Sequence, residues 1–162
     1  MLRYWHTARY LRPKQLAAWL HQRATGLRSP RHGFSSAPRP AMGAPLQFLT
    51  PMCPVVQPGS MRFLNVDAPV DPRRMTWGDP LRPKLWRYNL HYFDYLHWDA
   101  FDAAAKAALI DSWIASNRPG SADAWEPYPT SLRTVNWIKY FRAGATPSAE
   151  WLHSLALQLA WL

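Results

Sequence analysis

Hydrophobic positions divide the chain into three zones. In residues 12–26, Leu16, Trp19 and Leu20 fall at i, i+3 and i+4, the stripe of a short amphipathic helix. Pro13 suits its first position and Gly26 its close. Residues 27–83 hold 11 of the 16 prolines, which forbids long helices there. Only short extended pieces are expected, at Leu46–Leu49 and Met61–Val66, in an irregular wrapping segment.

Residues 84–162 read as helical. An aromatic run, Leu85–Leu96, comes first. Asp99 or Asp102 then caps a helix reaching about Asn117, with Leu109, Ile110, Trp113 and Ile114 as its buried face. Pro119–Gly120 ends it, and Ser121–Pro129 reads as a loop. Thr130 or Ser131 is the expected cap of a helix to about Ala143, stopped by Gly144. A last helix starts near Thr146–Pro147 and carries Trp151, Leu152, Leu155 and Leu159. Its final residues, Ala160–Trp161–Leu162, offer no capping residue and no cation in the last turn, so the expectation is a helical domain continued by a missing C-terminal part of the same chain. The predicted fold class is mainly α. Its expected divisions are a basic N-terminal helix over 1–26, a proline-rich segment over 27–83 and a helical domain from 84 to 162.

Composition narrows the function classes. With 48% apolar and 18% charged residues, wholesale disorder is excluded, and 162 residues suit one domain. The one cysteine, Cys53, allows neither a disulfide framework nor a multi-cysteine metal site, and with no activating group nearby in sequence it reads as inert. No stretch approaches the roughly 20 apolar residues of a membrane-spanning helix. No secretory signal is visible, which leaves the cytoplasm as the default location. Ten tryptophans imply either a stacked core or a surface that grips flat or ring-shaped ligands.

The formal net charge of +9 belongs to the first part of the chain. Residues 1–66 contain nine basic side chains and no acidic one, whereas residues 67–162 balance at ten of each. An acid-free, Arg-rich arm fits a transit peptide, a binder of phosphate backbones or anionic membrane surfaces, or a segment resting on an acidic partner or on further parts of the same protein.

One helical face gathers candidate chemistry. At about 100° per residue, Arg133, Asn136 and Tyr140 fall within roughly 60° of one another, while Ile138 and Val135 mark an apolar arc across the helix. A guanidinium fork, an amide and a phenol can hold a carboxylate or sulfate beside a sugar hydroxyl. Just upstream, Pro127 and Pro129 stiffen a corner carrying Trp125, Glu126 and Tyr128, whose rings offer apolar faces to a pyranose. An ordinary solvent face beside a core-filling corner is the competing reading. The candidate substrate-binding set is therefore Trp125, Glu126, Tyr128, Arg133, Asn136 and Tyr140. His91, near Tyr92 and Asp94, is a weaker acid–base candidate. The spacing of His91 and His97 matches no zinc site, and neither a Gly-rich phosphate loop nor a Gly-x-Ser-x-Gly turn occurs, so no cofactor is expected.

Two longer motifs carry a resemblance. Lys84-Leu-Trp-Arg-Tyr-Asn-Leu-His-Tyr-Phe-Asp-Tyr-Leu96 and Asn117-Arg-Pro-Gly-Ser-Ala-Asp-Ala-Trp-Glu-Pro-Tyr-Pro-Thr-Ser-Leu-Arg-Thr-Val-Asn-Trp-Ile-Lys139 resemble segments of the heparinase II/III-like family. The opening Tyr4–Gln15 is similar to the start of bacterial members, and Phe63-Leu-Asn65 and Trp77 also fit. The resemblance implies a partial (α/α) toroid built of α-hairpins, continued in full-length relatives by a β-sandwich. It implies β-elimination on uronic-acid-containing polysaccharides. In that reaction a base takes the C5 proton, a neighbouring group neutralises the carboxylate, and an acid assists the leaving oxygen. It also implies that the catalytic Asn, Tyr and His lie beyond residue 162, so the expectation is a truncated lyase, inactive alone, with no catalytic residue in this chain. The partners would be an acidic polysaccharide and the rest of the chain, without specific nucleic acid. Two alternatives stay open: a non-enzymatic anionic-glycan-binding protein, and an electrostatic binder of nucleic acid or membrane through the basic arm.

Overall fold

The computed structural model describes residues 13–14, 17, 20–21, 44–48, 59–71 and 74–162. The chain clusters into two compact units, Met1–Arg31 and His32–Leu162. In the first, Pro13, Lys14, Ala17, Leu20 and His21 have helical backbone. Leu16, Trp19, Gly26 and Cys53 lie outside the described residues, as does most of the opening motif.

The second unit is mainly α. Strands β1 (Ser60–Phe63) and β2 (Val66–Pro69) form an antiparallel hairpin, with Phe63 opposite Val66. The expected single extended piece at Met61–Val66 is instead one arm and a turn. Leu64 and Asn65 both take the left-handed conformation, at φ 54° and 61°, as a tight two-residue hairpin requires. Met61 and Phe63 alternate inward and Arg62 outward, so this ribbon buries one face. Residues 44–48 carry no regular structure, but the Leu46 amide donates to the Arg142 carbonyl at 2.7 Å.

Helix α1 (Lys84–Tyr92) begins after Pro83 and stops at Phe93. Phe93, wholly buried, sits at φ 63°. A bulky residue pays a conformational penalty there, and only dense packing holds it. Its ring stacks on Trp77 at 5.5 Å and meets Trp137 edge-on at 5.6 Å. The aromatic run is thereby broken into α1 and a 3-10 turn, Asp94–His97.

Helix α2 (Ala103–Ser116) is capped by Asp102, whose Oδ1 accepts the Ala105 amide at 2.7 Å. Helix α3 (Pro127–Arg142) starts earlier than the Thr130 or Ser131 cap expected from sequence: Glu126 is its N-cap residue. The reason is that Pro127 and Pro129 occupy first-turn positions, where the amide hydrogens they lack would have no helical partner anyway. Gly144, at φ 117°, lets the chain leave after Ala143. Helix α4 (Ala149–Trp161) is capped by Ser148, which accepts the Trp151 amide, rather than at Thr146–Pro147. Among the described residues no helix is long and apolar enough to cross a membrane.

Indoles build the core. Trp113 lies edge-on to Trp137 at 5.7 Å and tilted to Trp125 at 5.9 Å. Their polar edges are placed too: Trp77 donates to Ser112, Trp86 to the Val66 carbonyl, Trp125 to the Asn117 carbonyl and Trp151 to Asp111. Trp161 reaches back over Gly120, where an added Cβ would lie 3.6 Å from its ring, and donates to the Trp125 carbonyl. Of the two roles open to the tryptophans, this unit uses core stacking.

The hairpin turn yields a direct test. Leu64 is 54% exposed and left-handed, so it contributes little packing while opposing the turn. Replacing Leu64–Asn65 by Asn–Gly is expected to raise stability by about 1 kcal/mol, measured as an upward shift of the thermal midpoint.

Candidate functional site

Lys84, Tyr88 and Tyr92 are spaced four apart and form one line along α1. Helix α3 lies against that line. At its N-terminus the Glu126 carboxylate accepts the Tyr88 hydroxyl on one oxygen and Lys84 Nζ, at 2.8 Å, on the other. The ammonium also sits 5.2 Å from the centre of the Tyr88 ring. Burial works to raise the Glu126 carboxyl, but hydrogen bonds from Lys84 and Tyr88 outweigh it and hold the group below its ordinary range. The Tyr88 hydroxyl is pushed up by burial and by the adjacent carboxylate.

Further along, the Tyr128 ring stands edge-on to Tyr92 at 5.7 Å. Tyr128 is 61% exposed, whereas Tyr92 is buried beneath it. Asn136 follows two turns later. Its Nδ2 donates to the Tyr92 carbonyl at 2.9 Å and to Asp94 Oδ1 at 2.6 Å. The left-handed Phe93 makes this possible, because it turns the Tyr92 carbonyl and the Asp94 carboxylate toward the same amide. The result is a strip, here called the groove, along the line where α1 meets α3, with a carboxylate–ammonium–phenol cluster at one end, phenol rings along it and a part-buried amide–carboxylate pair at the other.

The predicted residues separate into two groups. Glu126, Tyr128 and Asn136 come together along the groove. Tyr140 lies one turn beyond Asn136, its ring 6.0 Å from Lys106 Nζ of α2. Trp125 is 2% exposed and Arg133 is wholly buried, so neither presents itself to a ligand at the surface. The polar arc of α3 faces inward, while Val135 and Ile138 of the apolar arc are exposed. Lys84 and Tyr88 were not among the candidates from sequence, and Tyr92 and Asp94 entered only as neighbours of His91. The four-residue spacing of the first three is the signal that marks them.

Arg133 serves the interior. Its Nε donates to Gln158 Oε1 of α4 at 2.6 Å and its Nη1 to the Ala124 carbonyl at 2.8 Å and, more weakly, the His91 carbonyl at 3.4 Å. Nη2 reaches the Thr130 hydroxyl, and the guanidinium carbon lies 3.9 Å from the centre of the Trp113 ring. Burial pushes its pKa down to about 9, the signature of a cation held out of water. His91 is likewise structural: its Nδ1 accepts the Trp113 indole hydrogen at 3.1 Å, and its ring stacks on Trp77. Burial, reinforced by Arg133 and Arg87, takes His91 down to about 3, so it is neutral at physiological pH. Among the described residues no group of three or more His, Cys, Asp or Glu is placed to hold a metal ion.

The chain matches no protein-family model, no curated protein and no solved structure.

Two outcomes follow from these burials. Arg133→Met leaves the acceptors Gln158, Ala124 and His91 without a donor and should lower the unfolding free energy by about 3 kcal/mol, read from urea titration. An unchanged midpoint would falsify the structural assignment. His91 binds its proton far more weakly folded than unfolded. Stability is therefore full above about pH 6.5 and declines as pH falls toward about 3, by up to about 1.4 kcal/mol per pH unit. His91→Gln should flatten this slope, whatever its effect at neutral pH.

Proposed function

We propose that this chain is the N-terminal helical part of a heparinase II/III-like polysaccharide lyase, and that the α1–α3 groove holds a segment of its acidic polysaccharide. On this reading α1 to α4 are the first hairpins of an (α/α) toroid, and β-elimination is completed by residues beyond Leu162. The observation that carries the proposal is the meeting of the two motifs. Lys84–Leu96 and Asn117–Lys139 are separated in sequence, yet their phenols, their carboxylates and Asn136 meet along one α1–α3 seam.

The chemistry of the groove agrees with a sugar ligand. Phenol rings offer apolar faces to pyranose C–H groups, while hydroxyls are served by nearby acceptors and donors. Glu126 is already neutralised by Lys84, so its end of the groove adds little repulsion toward an anionic chain. The same features serve a non-enzymatic glycan-binding protein equally well, and the two readings part at turnover.

Calorimetric titration with tetra-galacturonate tests binding. Tyr128→Ala removes an exposed ring without disturbing the core and should weaken affinity about tenfold. Equal affinity in the variant would remove the groove from consideration. Incubating the 162-residue chain with polygalacturonate should release no unsaturated uronate absorbing in the ultraviolet. Turnover by this chain alone would overturn the assignment of catalysis to residues beyond it.

A further inference from the structure

Arg133 is a buried cation with no carboxylate partner among the described residues. The acidic groups nearest in sequence are engaged elsewhere: Asp123 pairs with Arg87 at 2.6 Å, and Glu126 with Lys84 at 2.8 Å. The four hydrogen bonds of the guanidinium all go to neutral acceptors, chief among them Gln158 Oε1. Gln158 is wholly buried and held in turn by donating to Ser154 Oγ at 3.1 Å. A buried charge is ordinarily paired, and glutamate at 158 would supply that partner with nearly the same shape. A neutral amide therefore leaves one full positive charge inside the protein.

That charge is bonded to backbone beside the groove residues. Arg133 bonds to the His91 and Ala124 carbonyls, each adjacent to or two residues from a groove residue, Tyr92 and Glu126. It precedes Asn136 by one helical turn. Asp94, Lys106 and Lys139 all act on His97, so that region carries two cations against one carboxylate and adds no net negative charge to oppose Arg133. The low-dielectric core between Arg133 and the groove transmits its field poorly screened. A unit charge roughly 10 Å from a monoanion, across protein of effective dielectric about 20, changes affinity about tenfold.

We propose that Arg133 is a specificity-determining residue that favours anionic over neutral ligands in the groove through its uncompensated charge, without contact, and that Gln158 is the residue that keeps this charge uncompensated. The inference rests on the groove being a ligand site, and it selects the acidic class of polysaccharide.

The test is Gln158→Glu, which neutralises the guanidinium while preserving its geometry. Binding of tetra-galacturonate and of its carboxyl-reduced, uncharged counterpart is compared in wild type and variant by calorimetry. The expected result is about a tenfold loss for the acidic tetrasaccharide, no change for the neutral one, and a thermal midpoint no lower than wild type. Ser154→Asp, which sets the negative charge one hydrogen bond further away, should shift selectivity in the same direction by less. A purely structural role for Arg133 would move both ligands together. Equal losses for the two tetrasaccharides, or unchanged selectivity in both folded variants, overturns the inference and leaves the groove standing. If neither tetrasaccharide binds wild type, the groove reading falls and takes the inference with it.

Discussion

A single guanidinium ties the helical unit together. Arg133 joins α3, its own helix, to Gln158 on α4, to the end of α1 at His91 and to the approach loop at Ala124, while lying on the face of Trp113. Removing a cation of this kind from water is costly, and the cost is offset only when its donors are satisfied and its flat face is packed. The planar fork of arginine meets that geometric demand, which a lysine's point charge does not. The consequence is positional as well as energetic. Wherever Arg133 goes, Ala124 goes, and with it the chain entering α3 that carries Glu126 and Tyr128.

The second constraint is the break at Phe93. Continued helix would have carried Asp94 away from α3. The left-handed residue instead reverses the chain locally and delivers the Tyr92 carbonyl and the Asp94 carboxylate to Asn136. Phe93 can bear that conformation because Trp77, Trp113 and Trp137 enclose its ring. Core packing and groove geometry are thus one feature: the indole cluster stabilises the strained residue that shapes the groove.

Division of labour among aromatics follows. The tryptophans of the described unit carry large apolar area and most are interior, several with indole hydrogens led to specific oxygens. The rings bordering the groove are tyrosines, whose hydroxyls remain useful at a wet surface. Arg133, buried beside them, has no carboxylate partner among the described residues.

Much of the fold was legible in the sequence. Helical periodicity marked α2, α3 and α4 closely, since their apolar spacing, the Asp102 cap and the Gly144 exit are local properties. The start of α3 was misplaced because prolines signal both loops and first helical turns, and only the surrounding backbone decides which. The β hairpin was half legible, since neither Leu64 nor Asn65 is the glycine that normally announces a positive φ. The Glu126–Tyr128 corner and Asn136 were legible as candidate site residues. The role of Arg133 was not, because a helical wheel separates faces without saying which one meets solvent. The sequence by itself determined the helical segments, their caps and the residue types available to a groove. Tertiary structure alone decided that the polar arc of α3 turns inward, since that choice depends on Gln158, His91 and Ala124, partners 25, 42 and 9 residues distant in sequence, coming together around one charge.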